Sequence, residues 1–369
     1  MNKEWYQIEN ISEIDSPALA IYPDRVRENI RIMKSFVPDV EHLRPHVKTN
    51  KSAETTKLLL EAGIYKFKCA TIAEAEMLAI EKASDILLAY QPLGPKILRL
   101  AELVNKFPTS KFSCLIDNVE SARNISAVFE KKNNKINVFI DLNIGMNRTG
   151  IIPEAALNLF DQCQNLKGIN IIGLHPYDGH LRDPDLAIRT KACDEGFAKV
   201  EALKNEILKL RGKNLIIVVG GTTTFSIHSK RKNVECSPGT IIYWDKGYQS
   251  MFSELPFLWA AVLITRIISK PDEETICIDL GHKSVASENP LNNRVYLLNG
   301  PELQPVGHSE EHMTLKAGKN NSYKVGDVLY GVPYHICPTV ALHDETVTVV
   351  DQKAIGRWVT TSRRRRITA

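Results

Sequence analysis

Between residues 17 and 250 the chain alternates between two hydrophobic periods. Short apolar runs rich in β-branched residues stand at 19–22, 65–70, 86–90, 111–116, 136–142, 169–174 and 215–220. Between them lie stretches such as 52–62, 72–82 and 194–210, whose apolar residues fall three and four apart, the spacing of an amphipathic helix. Strand–helix alternation predicts right-handed crossovers and a parallel sheet. With 41–47 counted as a further strand there are about eight, the number that closes a (β/α)8 barrel. A doubly wound open sheet would show a G-x-G-x-x-G turn after its first strand, and the sequence has none. After about residue 250 the texture changes. Strand-like runs at 258–269, 274–280, 294–299, 325–330 and 346–350 are separated by Gly, Pro and Asn turns, with few helical stretches. The expected fold is therefore α/β: a (β/α)8 TIM-type barrel over 17–250, followed by a mostly antiparallel β domain over 251–369, with 1–16 a possible addition to the latter.

Composition narrows the class. At 369 residues with 43% hydrophobic and 24% charged, the chain is ordinary globular material and not mainly disordered. A net charge of +4 creates no strong field toward nucleic acid. The one basic cluster, 363–366, reads as a solvated tail. No apolar run approaches the roughly 18 residues of a spanning helix, so no membrane partner is expected. The first thirty residues carry Glu4, Glu9, Glu13, Asp15 and Asp24 and do not read as a signal peptide. Seven scattered cysteines without a C-x-x-C pair suggest a reduced, cytoplasmic protein.

Five strings carry candidate chemistry. In Arg44-Pro45-His46-Val47-Lys48-Thr49 the period of a strand would point Arg44, His46 and Lys48 the same way. A lysine there, deprotonated by burial and neighbouring cations, would attack a carbonyl; a row of solvated cations is the plainer reading. Asp141 to Gly150 follows an apolar strand and holds Arg148 in a glycine-bounded loop suited to an anionic oxygen, or simply to solvent. Gly173 to His180 would set His175 and Tyr177 on one face, although a lone histidine is more often structural. Gly220-Gly221-Thr222-Thr223-Thr224 exposes backbone N–H groups and hydroxyls after a strand, as a phosphate cradle does. Ser237-Pro238-Gly239-Thr240 would be its second wall. In Tyr334 to Thr339 an extended strand would aim His335 and Cys337 at one ion, zinc in preference to harder cations; a buried pair without metal remains open.

A reactive lysine, a phosphate cradle and a cation for a ring oxygen on one barrel mouth describe a pyridoxal phosphate site. The strings RPHVKT, NRTG, PYDGH, GGTTT and HICPT, in this order, resemble the fold-type III, alanine racemase-like enzymes. Within that group they resemble the branch of D-threonine aldolase and D-serine dehydratase. The resemblance spans nearly the whole chain. It implies that Lys48 binds pyridoxal 5'-phosphate covalently, Arg148 contacts its phenolic oxygen region and Tyr177 lies near its ring nitrogen. Gly221, Thr222, Gly239 and Thr240 would hold the phosphate. His335 and Cys337 would hold a divalent metal, Zn or else Mn or Mg. It further implies a homodimer whose active site is completed by the second subunit's β domain. The substrate would be a D-3-hydroxy amino acid, cleaved by retro-aldol chemistry to glycine and an aldehyde. Deamination to a 2-oxo acid and racemisation are the alternatives. Cys337 leans toward dehydration, whereas VECSPGT with Trp244-Asp245 and the His308/His312 pair lean toward the aldolases. His312 is the candidate base, with His46 and His175 behind it; a solvated loop is the plainer role for His312.

Overall fold

Strand β1 (Ala18–Ile21) does not join the strands that follow it in sequence. The next seven are β2 (Lys66–Cys69), β3 (Asp85–Leu88), β4 (Lys111–Ile116), β5 (Ile136–Leu142), β6 (Ile169–Pro176), β7 (Ile216–Val219) and β8 (Glu235–Cys236). They form one parallel sheet in sequence order. The helices Ile72–Ile80, Pro95–Lys106, Val119–Lys131, Pro153–Cys163 and Leu186–Arg211 alternate with these strands, as the hydrophobic period requires. Their starts are set locally. Thr71 accepts from Glu74 N–H, Asn118 from Ser121 N–H, and Asp185 from the N–H groups of Ala187 and Ile188.

The computed structural model describes residues 4–365. The chain divides into two units. One contains Met33–Lys48 and Thr56–Gly239; the other runs up to Ile32 and contains Thr49–Thr55 and Thr240–Arg363.

In the first unit the barrel closes through a seam. The expected strand 41–47 is replaced by a 3-10 turn, Val40–His42, and an extended segment held by two isolated parallel bridges, Leu43 to Cys236 and His46 to Lys68. Arg44 N–H donates to Cys236 O and His46 N–H to Pro238 O, both at 2.8 Å; Val47 N–H donates to Lys68 O at 2.9 Å. Pro45 has no N–H to give, which breaks the ladder, but its carbonyl accepts from Lys68 N–H at 2.9 Å. The segment thus fills the eighth place between β8 and β2. The barrel interior is packed by Leu87, Leu115, Phe139 and Val218.

The three cations 44, 46 and 48 do not share a face. Arg44 is buried, with its guanidinium 2.6 Å from Glu235 and 2.7 Å from Asp85. Lys66 also pairs with Glu235, at 2.9 Å. Asp85, Glu235 and Lys66 are the first residues of β3, β8 and β2, so this network ties the N-terminal end of the barrel, away from its mouth. Arg44 is a structural cation.

The second unit holds β1 and the strands β9 (Ala261–Ser269), β10 (Thr275–Ile278), β11 (Val295–Leu297), β12 (Gln304–His308), β13 (Met313–Lys316), β14 (Val328–Pro333), β15 (Glu345–Val350) and β16 (Lys353–Val359). The sheet runs β12-β13-β10-β9-β1-β15-β16, with β14 joining β9 to β11. All pairs are antiparallel except β1 with β15. Ala20 and Tyr22 pack with Tyr6, Ile8, Val262, Ile264, Tyr330 and Val347, which explains why a run that reads as a buried barrel strand lies here. Arg363 is no solvated tail: its guanidinium donates to Ala341 O at 2.6 Å and pairs with Asp344 at 2.6 Å. Arg366 lies outside the described residues. Among the described residues no helix is long and apolar enough to cross a membrane.

Candidate active site

The C-terminal ends of β2, β5 and β6 bring three polar side chains into the barrel interior. Register pairs Asp141 with His175 on neighbouring strands. His175 Nδ1 lies 2.7 Å from Asp141 Oδ1, and its Nε2 lies 3.3 Å from Lys68 Nζ. The carboxylate fixes the proton on Nδ1, leaving Nε2 to accept from Lys68. Burial, aided by the Lys68 charge, pulls the His175 pKa down, so the ring is neutral at physiological pH. Burial works against the Asp141 carboxylate, but hydrogen bonds from His175 and Thr149 and the charge of Lys68 hold its pKa below the usual range.

Lys68 belongs to no string singled out in the sequence. It is 2% exposed. Burial first, then the charge of Lys48, lower its pKa from the ordinary 10.5 to about 7. Below pH 7 the folded chain therefore carries the full cost of a buried ammonium, on the order of 5 kcal/mol. That cost disappears as pH rises from about 7 toward 10.5, because the unfolded chain then binds the extra proton. Lys68→Met should accordingly raise the denaturation midpoint clearly near pH 6 and much less near pH 10. An equal gain at both would assign the effect to packing alone.

Around Tyr177 gather Arg148, Lys68 and Gly221. Arg148 sets its guanidinium carbon 5.0 Å from the Tyr177 ring centroid, and Lys68 Nζ lies 5.4 Å from it. Asn143 pins the loop that carries Arg148: its Oδ1 accepts from the N–H groups of Gly145 and Asn147. Lys48 is exposed in the turn that follows the seam, its N–H 3.3 Å from Nδ1 of half-buried His46. Gly221 approaches Tyr177 so closely that a Cβ there would meet the ring at 3.1 Å. Gly220 has φ +68°, and a Cβ on it would strike His228 and Thr224 at 2.8 Å.

Behind this turn Asp178 accepts from Thr224 Oγ1 and His228 Nε2, each at 2.7 Å, and Cys193 Sγ lies 3.2 Å from His228 Nε2. Asp178, Cys193 and His228 are close enough to hold an ion. However, Arg231 donates to His228 Nδ1 at 3.1 Å, which leaves the proton on Nε2 for Asp178. Burial, then Asp178, push the Cys193 thiol up to about 12. This is a hydrogen-bonded clamp on the glycine turn.

The cradle itself has open valences. Thr223 Oγ1 and Ser237 Oγ are buried without a hydrogen-bond partner among the described residues, and Gly239 N–H donates to Thr222 Oγ1 at only 3.3 Å. Buried hydroxyls are rarely left so. Glycine backbone, orphaned hydroxyls and nearby cations fit the phosphate and ring of pyridoxal phosphate.

In the second unit His335 and Cys337 are not on a strand. His335 caps the short helix Ile336–Leu342, which contains Cys337. The turn nevertheless joins them, since the His335 ring hydrogen-bonds Cys337. The hydroxyls of Thr49 and Thr240 lie 3.1 and 3.5 Å from Cys337 Sγ, and His335 Nδ1 hydrogen-bonds Glu288. Burial opposes the charged ring, but Cys337 and Glu288 raise the His335 pKa to about 9. An imidazole and a sulfur that share a proton, with a carboxylate orienting the imidazole, form a donor set that fits a soft divalent ion. His312 is exposed in the turn between β12 and β13. His308, more buried, is held by Arg294 at 2.6 Å.

Two family descriptions match the chain: "Alanine racemase, N-terminal domain" over residues 21–246 and "Putative serine dehydratase domain" over 260–349. A D-threonine aldolase from Arthrobacter sp is 26% identical over 365 residues, covering 96% of this chain and 94% of that protein. A 3-hydroxy-D-aspartate aldolase from Paracoccus denitrificans is 25% identical, covering 95% and 93%. The crystal structure of D-threonine aldolase from Filomicrobium marinum matches with a TM-score of 0.87 at 22% identity, over 96% of this chain and 97% of that one.

Proposed function

We propose, because the chain belongs to the alanine racemase N-terminal domain family, that it is a pyridoxal phosphate- and divalent metal-dependent lyase of D-3-hydroxy amino acids. The reaction in this reading is retro-aldol cleavage to glycine and an aldehyde. The aldolases that are similar along nearly its whole length support this reading. The observation that carries it is the grouping of Lys68, Arg148 and Gly221 around Tyr177, with Lys48 charge-coupled to Lys68.

Lys48 would hold the cofactor covalently, Arg148 and Tyr177 its ring, and Gly221, Thr222, Gly239 and the backbone of Thr240 its phosphate. When bound, the cofactor supplies an electron sink for the bond broken at the α-carbon. His335 and Cys337 would hold the ion, which supplies a Lewis acid toward the β-hydroxyl. We assign the ion to this pair and not to Asp178, Cys193 and His228, where Arg231 already occupies the histidine. His175, neutral and locked on Asp141, orients without taking up charge. Its buried ring serves poorly as the base, which leaves His312 as our assignment and His46 in reserve. The homodimer expected from the resemblance belongs to the same reading.

Dehydration is the second reading, favoured by the thiol of Cys337 and by the matched serine dehydratase domain. Incubation with D-threonine and with D-serine, with and without EDTA, separates them. We expect acetaldehyde and glycine from D-threonine, lost on chelation. A 2-oxo acid with ammonia would instead establish dehydration, and racemisation that survives EDTA would overturn both.

A further inference from the structure

Lys68 is a buried titratable group to which the proposed chemistry gives no role. A buried ammonium normally faces a carboxylate, because desolvation outweighs what packing returns. Lys68 makes no ion pair among the described residues. Its Nζ faces His175 Nε2 at 3.3 Å and the Tyr177 ring at 5.4 Å. The carboxylates nearest in charge are committed elsewhere: Asp141 to His175 and Thr149, Asp178 to Thr224 and His228. Arg148 stands over the same tyrosine ring, and Lys48 adds a third positive charge. Lys68 and Arg148 thus meet at one ring, with the carboxylates that act on Lys68 already committed. Such a place is built for an anionic ligand atom.

The phosphate has its own cradle in the glycine turn. The other anionic atom of pyridoxal phosphate is its phenolic oxygen, ortho to the aldehyde that a lysine captures. We propose that Lys68 is a cofactor-contacting residue that, with Arg148, holds the deprotonated phenolic oxygen of pyridoxal phosphate. The proposal rests on the reading of Lys48 as the covalent lysine. It explains why an ammonium is kept inside the barrel beside a neutral histidine: the ligand supplies the missing negative charge. Burial and the neighbouring cations also leave the amine easily deprotonated in the empty protein, so the ligand would bind together with a proton.

The test is equilibrium binding of two probes to the cofactor-free full-length chain, followed by absorbance: pyridoxal phosphate and its 3-O-methyl ether, in which the phenolic oxygen is capped. Lys68→Met should weaken pyridoxal phosphate by about 10- to 100-fold, the range for a hydrogen bond to a charged group, and the ether by less than about threefold. Lys68→Gln should behave as Lys68→Met and serves if the latter does not fold; Lys68→Arg should restore the discrimination. Equal affinity of wild type and both uncharged variants for pyridoxal phosphate would overturn the proposal. So would equal losses for both probes, which would assign Lys68 a packing role. Borohydride fixation followed by peptide mapping separates the two readings. Label on Lys48 with unchanged affinities sinks only the role of Lys68, whereas absence of label on Lys48 in wild type sinks the covalent assignment.

Discussion

Replacing Lys48 by alanine is expected to remove the absorbance of bound cofactor that borohydride bleaches, and to lower turnover by more than about 10³-fold. The size follows from the residue's position. Lys48 is the exposed lysine at the end of the barrel's closing segment, and its charge reaches Lys68, one of the groups around Tyr177. By contrast, Lys68 is enclosed in the barrel, and Lys66 is tied to Glu41 and Glu235 at the opposite end. Because Lys48 is exposed, its truncation should change stability by less than about 0.5 kcal/mol. An unchanged denaturation midpoint would therefore accompany the loss. Full turnover in this variant would remove the central assignment.

Cys337→Ala is expected to cost about 100-fold or more in metal-dependent turnover and to abolish stoichiometric metal by elemental analysis, while the cofactor absorbance persists. The thiol lies at the centre of its own group, with two hydroxyls and the His335 ring directed at it. Cys193→Ala is the matched control. That thiol sits in a more deeply buried cluster with a histidine and an aspartate, yet Arg231 fills the histidine's remaining nitrogen. Metal lost from Cys193→Ala and retained in Cys337→Ala would move the ion to the clamp behind the glycine turn.

The alternation of hydrophobic periods was enough to read the barrel, because each strand buried by flanking helices leaves a continuous apolar run. It could not say which sheet a buried run joins. Residues 19–22 look like any barrel strand, and their partners, β9 and β15, lie more than two hundred residues away. Glu235–Cys236 escaped for the opposite reason, since two residues make no run. At the site, His175 and Tyr177 both lie near Lys68, whereas strand phase failed for 44–48, where Pro45 interrupts the ladder and Arg44 turns to Glu235. His335 and Cys337 meet through a helix cap and not through strand phase. Lys68 was visible only as a lysine between Phe67 and Cys69 in an apolar strand, and that conflict between a charge and a buried phase was the signal to follow.

The seam at 43–47 has a further consequence. Strands β5 and β6 are joined along seven paired positions, whereas the seam is clasped by two bridges and riveted at one end by Arg44. The amides of His46 and Val47 should thus exchange with deuterium well before those of the β5–β6 ladder. Lys48 hangs from that clasp. A ligand fastened to it would act as a latch on the weakest joint of the cylinder, and slower exchange at these two amides would report its arrival without any turnover.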